Sequence, residues 1–512
     1  MLNNGREGVL VKPYERLNPN QVRILHQASL EILREPGIWC YNERAAGVFR
    51  EHGATTREVM EKGTPCWRIS IPAGLVEEAL RMTPSRVTLG ARDPGNRLLL
   101  DSEIPRVYFG TGSEANIWLE TSLEEFESRE NPGTLAKLPR HTELRGTTEL
   151  LERAARLCDQ LENVDFFIRP LNIQDDDVDE NNHDVNKFFA SLNNITKHVQ
   201  AGLTTRERLG DVIRLAEIIA GGPEELRQNP VISFIACLFK SPLQIVDDTA
   251  AKVFDIVESG LPLVLSSSPQ GGSSAPIEEA GMVAQINAEL LASITLTQFI
   301  REGAPVIYGS VPVRARLDNL HDLYGCPEFN HYGVDCVQMA RFYRIPCYSS
   351  SGVGDAKVPG MQSMFEKMLT HAYMALSGAQ YIHYSFGLLD RTNIFSPLQA
   401  VIDNEQVGMV KQSARACSVD ETAASDGVRT VGKVMDSPSR LFARHARKAM
   451  HSGTLSSPYR FETADASDRV IERALEYMDT LEARPARHLD PETIARIFRE
   501  ITGLLPKLKK AA

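Results

Sequence analysis

The sequence predicts an α/β protein, a (β/α)8 TIM barrel with an N-terminal helical cap and a C-terminal helical extension. Two observations predict it. From residue 105 the chain repeats short apolar, β-branched or aromatic runs: Arg106 to Gly110, Val164 to Arg169, His198 to Leu203, Val231 to Ala236, Leu261 to Ser266, Pro305 to Ser310, Pro346 to Ser351 and Gln380 to Phe386. Between them lie amphipathic stretches long enough to be helices, the clearest from Glu278 to Glu302, with Val283, Ile286, Leu290, Ile294 and Thr297 on one side and Gly303 as the stop. Parallel strands need crossovers, and crossovers are normally helical, so eight strand-then-helix units point to a closed barrel, with an open doubly wound sheet as the rival.

The elements on either side follow from their own signals. Residues 1–104 read as the cap: a helix with an apolar face through Val22, Leu25, Ala28, Ile32 and Leu33, a second from Glu43 to His52 closed by Gly53, and a third over Pro72 to Met82. A hairpin follows over Arg86 to Leu100, turning at Pro94-Gly95-Asn96. Residues 105–430 form the barrel, and residues 431–512 return to polar helices. One of these runs from Asp468 to Thr480 with Ser467 as cap, and another from Asp490 to Leu505 with Pro491 just inside it. This extension reads as an outer appendage for subunit contact in a homo-oligomer.

Composition narrows the function classes. With 512 residues, 42% of them hydrophobic, the chain can bury a large core. A net charge of −11 argues against a nucleic-acid partner, whose phosphates need a concentrated basic face. The start lacks the apolar stretch of a signal peptide and no run approaches a membrane span, so the expectation is a cytoplasmic protein with no membrane association. Eight cysteines without a C-x-x-C pair suggest neither a disulfide framework nor a zinc ribbon.

In a barrel the active site lies at the C-terminal ends of the strands. Those ends are rich in Gly and Ser and poor in carboxylates, with no H-x-x-x-H array, phosphate loop or nucleophile elbow. Gly110-Thr111-Gly112-Ser113 lacks the third glycine of a dinucleotide fingerprint and reads as a strand-end turn. Aromatic residues gather there, among them Phe109, Phe166, Phe167, Tyr308, Tyr348, Tyr384 and Phe386, and rings at a concave mouth can hold a quaternary ammonium by cation–π attraction. Alternation along a strand means that about half of them face the core instead. His383 is either a satisfied core residue or part of the site, and Arg169 and Arg314 either receive a substrate carboxylate or make salt bridges within the barrel.

Several stretches resemble the trimethylamine methyltransferase family, whose members are barrels. They are Ile286 to Ala292 running on to Arg301 to Ser310, Gly325-Cys326-Pro327-Glu328, Gln338 to Arg341, Gly354 to Lys357 with Pro359, Gly378 to Tyr381, and Gly387 to Asp390 with Asp403-Asn404-Glu405. Glu31 to Arg34 with Gly37, and Ile71-Pro72, fit as well. The founding members carry pyrrolysine in the barrel, near the position of Ser350 to Gly352 here; this chain has only standard residues there and resembles the branch without pyrrolysine, which includes glycine betaine methyltransferase. A His-Thr-bearing segment of the family is replaced by Arg444-His445-Ala446-Arg447 and His451-Ser452-Gly453.

The resemblance implies transfer of a methyl group from a quaternary amine, glycine betaine or a related betaine, to Co(I) of a cobalamin (corrinoid) on a separate corrinoid-binding protein, with no metal held by this chain. Ser351, Asp355 and Lys357 lie where the pyrrolysine-type members place their special residue and become the catalytic candidates, Asp355 and Lys357 being equally readable as a structural loop pair. Phe109, Arg169, Tyr308, Arg314, Tyr348, His383, Tyr384 and Phe386 become the substrate-binding candidates. Two other functions stay open: a lyase or aldolase using Lys197 as a Schiff-base amine, and a barrel that binds betaines without catalysis.

Overall fold

A computed structural model of the chain describes residues 5–61, 63–112, 114–127, 135–417, 419–451, 459–462 and 469–511. Each of the eight apolar runs coincides with a parallel strand, the fifth strand reaching one residue past its run: β1 Arg106–Phe109, β2 Phe166–Ile168, β3 His198–Ala201, β4 Ile232–Ala236, β5 Leu263–Ser267, β6 Val306–Ser310, β7 Cys347–Ser350 and β8 Tyr381–His383. They are mutual neighbours in a nine-stranded curled sheet whose remaining member, Val9–Leu10, runs antiparallel to the start of β1. The sheet's two ends approach one another: the Asp165 amide donates to the Phe109 carbonyl at 2.7 Å, and Gly110 bridges Phe166 in parallel. Gly110 makes this approach possible, since a Cβ there would stand 2.2 Å from the Phe166 ring.

Sixteen α-helices are assigned among the described residues. Three precede the sheet: α1 Pro19–Arg34, α2 Glu43–Glu51 and α3 Ala73–Met82. Those beside and between the strands are α4 Thr148–Gln160, α5 His183–Asn194, α6 Leu209–Ala220, α7 Pro223–Gln228, α8 Asp247–Ser259, α9 Glu279–Ile300, α10 Pro327–Tyr343, α11 Met361–Ser377 and α12 Pro397–Ala414. The chain ends with α13 Glu421–Met435, α14 Ala443–His451, α15 Val470–Glu482 and α16 Pro491–Glu500. No helix of the described residues is long and apolar enough to cross a membrane.

Two apolar layers result from strand alternation. Tyr108, Phe166, Ile168, Val264, Ile307, Tyr348 and Tyr381 gather inside the curl, where Val87, Leu89, Leu98 and Leu100 of the hairpin Arg86–Leu89/Leu98–Asp101 join them. The neighbouring residues Val107, Phe109, Phe167, Val199, Phe234, Leu265, Tyr308 and Ile382 belong to the larger core that the helices share. The hairpin touches β3 from below, the His198 Nδ1 lying 2.7 Å from the Gly90 carbonyl oxygen.

Several sequence expectations change. The helix expected over Glu278 to Glu302 is α9, but it is buried on every face from Met282 to Gln298, because α1, α2 and α3 pack on the side away from the sheet; Arg301, not Gly303, caps it. The cap is less helical than expected, because Ile38–Cys40, Thr55–Glu61 and Thr64–Ser70 form a sheet. Its edge strand, Thr-Thr-Arg-Glu-Val-Met-Glu, is largely exposed and carries little apolar alternation to announce it. A hairpin of Ile117–Glu127 and Leu135–Arg145 between β1 and α4 had no sequence counterpart. Asp490 caps α16 through the Thr493 amide at 2.9 Å, though α16 ends at Glu500 rather than Leu505. Ser467 and Asp468, the expected start of the preceding helix, lie outside the described residues.

Candidate active site

The strand ends build a mouth with two unlike walls. At the β7 and β8 ends the inward residues are Tyr348, Ser350 and His383. The His383 ring stacks on Tyr348 with centroids 3.9 Å apart, and Tyr384 leans on its other side at 3.7 Å. One imidazole nitrogen, Nδ1, lies 2.7 Å from the Tyr348 hydroxyl, and the other, Nε2, 2.6 Å from Ser350 Oγ. Burial pushes the His383 pKa well below its ordinary value and that of Tyr348 well above, so neither ring is charged near neutrality. Tyr348 and His383 are buried, whereas Tyr384 is half-buried and sits at φ 66°, a left-handed conformation costly for a bulky residue and typical of functional sites. Gly112 makes room for it: a Cβ there would lie 2.7 Å from the Tyr384 ring and 3.1 Å from His383 Nδ1.

The opposite wall, after β1, β2 and β3, is charged. The Arg169 guanidinium, 1% exposed, is ion-paired with Glu114, whose side chain is 53% exposed and lies over it; its Nη1 also donates to Asn172 Oδ1 at 3.1 Å. Lys187 on α5 pairs with Asp184 at 2.5 Å and donates to Thr204 Oγ1 at 3.0 Å. Asp184 also receives the Thr204 amide at 2.9 Å, fixing the turn after β3. His183 links Asn172 and Thr204 at 3.1 Å each. Burial, then the neighbouring Arg169, holds Lys187 down to about 8, and burial, then Lys187, holds His183 down to about 4; Arg169 keeps Glu114 below the usual carboxylate range. With His183 neutral, two cations and two carboxylates balance.

Behind the first wall a buried network holds the strand ends. Lys367 on α11 pairs with Asp403 on α12 at 3.0 Å, both fully buried, and also donates to the Gly352 carbonyl. Asp403 receives the Gly387 amide at 2.7 Å, so one ion pair ties the loops leaving β7 and β8 together. His371 Nδ1 lies 3.0 Å from Ser351 Oγ, which is also 3.0 Å from Ser385 Oγ.

Of the candidates read from the sequence, the structure brings Tyr348, His383 and Tyr384 together on one wall and puts Arg169 on the other. Phe109, Tyr308 and Phe386 lie in the helix-facing core instead: Phe109 meets His371 edge-on, and Tyr308 donates to Asn287 on α9 at 3.0 Å. Arg314 donates to Glu328 at 3.1 Å on the rim beyond β6. Ser351 is held by His371 and Ser385. Asp355 accepts the amides of Tyr324 and Gly325 at 3.1 and 2.8 Å, pinning a neighbouring loop, while Lys357 is exposed beside it. Lys197 precedes β3, at the end away from the mouth, and its amine donates to the Cys158 and Leu161 carbonyls. Sequence reasoning missed Glu114, Asp184 and Lys187; the polar run Asn181 to Lys187, interrupted only by Val185, was the one signal for the last two, and Glu114 had none beyond its place just after Gly110-Thr111-Gly112-Ser113.

The family described as trimethylamine methyltransferase (MTTB) matches residues 9–437. The chain is 28% identical to a trimethylamine methyltransferase of Desulfitobacterium hafniense DCB-2, over 93% of this chain and 91% of that one. It is 27% identical to a glycine betaine methyltransferase of Desulfitobacterium hafniense Y51, covering 89% of each. Among solved structures, the monomethylamine methyltransferase of Methanosarcina barkeri superposes with a TM-score of 0.50 at 12% identity, over 91% of this chain and 88% of that one, a likeness of fold alone.

Proposed function

The chain belongs to the trimethylamine methyltransferase family, and from that premise we propose that it demethylates a quaternary amine, glycine betaine or a related betaine, passing the methyl group to Co(I) of a corrinoid on a separate protein. In the same reading the curled sheet is a closed (β/α)8 barrel; the approach of β1 to β2 at Gly110 and Phe166 supports this. The observation that carries the substrate class is the neutral aromatic wall. Tyr384 offers the accessible ring, and Tyr348 and His383 buried behind it add no charged acid or base, which suits a permanent cation. A quaternary nitrogen departs as a neutral amine, so the wall need supply no proton.

An external acceptor requires an open mouth, and side chains at the strand ends are exposed: Glu114 after β1, Cys237 after β4 and Ser268 after β5. The corrinoid supplies the nucleophile when its protein is bound. This chain's residues orient and desolvate. The trimethylammonium lies against Tyr384, which Gly112 and His383 hold in place, and the substrate carboxylate takes the place of Glu114 on Arg169, with Lys187 behind it. Ser350 and Tyr348 fix the imidazole plane, and Lys367 and Asp403 fix the spacing of the two loops.

The test mixes the protein with Co(I) cobalamin and, in turn, glycine betaine, carnitine, choline and trimethylamine, and follows methyl-Co(III) absorption. Activity with at least one quaternary compound and none with trimethylamine is expected. Turnover of trimethylamine alone would overturn the assignment, and betaine binding by calorimetry with no methylcobalamin formed would favour a non-catalytic binder.

A further inference from the structure

The helix α13 is built unlike the other long helices. None of its 15 residues is buried, and it contains Gly427 and Gly432, each weakening a helix by about 1 kcal/mol relative to alanine. A solvated helix of this length and composition is marginal in water, so something must pack on it. Its apolar residues show where. Ala424, Val428, Val431 and Met435 recur at intervals of four, three and four, the spacing of a helix–helix seam, and the three larger ones are 73%, 50% and 56% exposed.

The residues around the seam say what kind of helix covers it. Ser425, Gly427 and Gly432 border it, and a Cβ built at either glycine meets nothing within 4 Å, so a second backbone can come close. Charge is unevenly spread along the axis: Asp420, Glu421 and Asp426 lie in the first half, Arg429 and Lys433 in the second, with Asp436 at the C-cap and Arg440 beyond it, so the second half is net basic despite that one acidic residue. A copy of the same helix in antiparallel orientation sets acidic half against basic half, whereas a parallel copy sets like against like. A twofold axis generates the antiparallel arrangement.

We propose that α13 is a homotypic contact, pairing antiparallel with α13 of a second copy of this chain so that Val428 packs against Val431 of the partner subunit. Val419, Leu441 and Phe442 flank α13, are 77%, 67% and 45% exposed, and extend the same surface. Counted on both copies, these side chains remove on the order of 1,200 Å² from water, the lower bound for a stable interface. The proposal is independent of the methyl-transfer reading, since it uses no residue of the mouth.

Sedimentation equilibrium of the full chain at micromolar concentration tests it. The expected mass is that of an even number of chains, and Val428→Asp combined with Val431→Asp halves it with no change in near-ultraviolet circular dichroism. A second measurement guards against misfolding of that variant. In a Cys237→Ser/Cys417→Ser background, a mixture of the Val428→Cys and Val431→Cys chains cross-links under mild oxidation at least fivefold more than either chain alone. A monomeric wild type, an unchanged mass in the aspartate variant, or equal cross-linking in mixed and single samples would each overturn the proposal.

Discussion

The two walls of the mouth solve different problems with similar burial. On the β7–β8 wall Tyr348, Ser350 and His383 are buried and uncharged, with Tyr348 and Ser350 each hydrogen-bonded to His383; on the β1–β3 wall Arg169, Lys187 and Asp184 are equally buried but charged. Charge survives on the second wall because each ion has an opposite partner within contact distance, which offsets the cost of leaving water. On the first wall no counter-ion is near, so burial holds the imidazole neutral. In the proposed function the uncharged aromatic side takes the cation of a small zwitterion and the balanced ionic side its carboxylate, and variants on either side can break or sharpen that contrast.

The largest effect is expected at Tyr384. Tyr384→Ala removes the accessible ring and should lower kcat/KM for a betaine by about 30-fold, corresponding to about 2 kcal/mol of cation–π and contact energy, while Tyr384→Phe stays within about threefold. Steady-state methylcobalamin formation reads both; equal losses in the two variants would move the role from the ring face to the hydroxyl.

Next comes Glu114. Glu114→Gln uncovers the Arg169 charge, so the ratio of kcat/KM for glycine betaine over choline, which has no carboxylate, should rise about tenfold. A falling ratio would show Glu114 to be a contact for the substrate cation. A smaller loss, about fivefold, is expected for Gly112→Ala, whose methyl would press on Tyr384; the loss should lie in KM more than in thermal stability, measured by kinetics beside a melting curve.

The smallest expected effect is on pH dependence. Lys187 is held down to about 8, so as pH rises through that value the ionic wall loses a positive charge while Asp184 keeps its negative one. KM for glycine betaine should rise two- to threefold between about pH 7.5 and 9, and KM for choline should not. Unfolding would not explain the rise: lysine in the unfolded chain stays protonated to about 10.4, so over this window the folded state binds fewer protons and this group's contribution to stability grows with pH. His383 stays neutral around neutral pH, since burial depresses its pKa well under the ordinary imidazole value.

The contrast also marks how far the site was legible. Tyr348, His383 and Tyr384 stood out because aromatic residues gathered at strand ends. Phe109 and Tyr308 stood out for the same reason and lie in the helix-facing core, because a parallel strand covered on both faces is apolar on both and its sequence does not say which parity points inward; Phe386, past the end of β8, lies in that core as well. The ionic wall was nearly invisible: Glu114 and Arg169 are 55 positions apart, and nothing in either neighbourhood names the other.

By itself the sequence determined where the eight parallel strands and the long helix α9 fall, since local apolar runs and their separations are set by short-range preferences and by the need for crossovers, whereas the cap sheet and the hairpin after β1 were not legible in it. Gly112 beside Tyr384, the pairing of Glu114 with Arg169, the tie of Lys367 and Asp403 across two loops and the burial of α9 on every side were decided only by tertiary structure. Each depends on which residues from distant segments share a space, and burial and charge acquire their energies only once that space is closed.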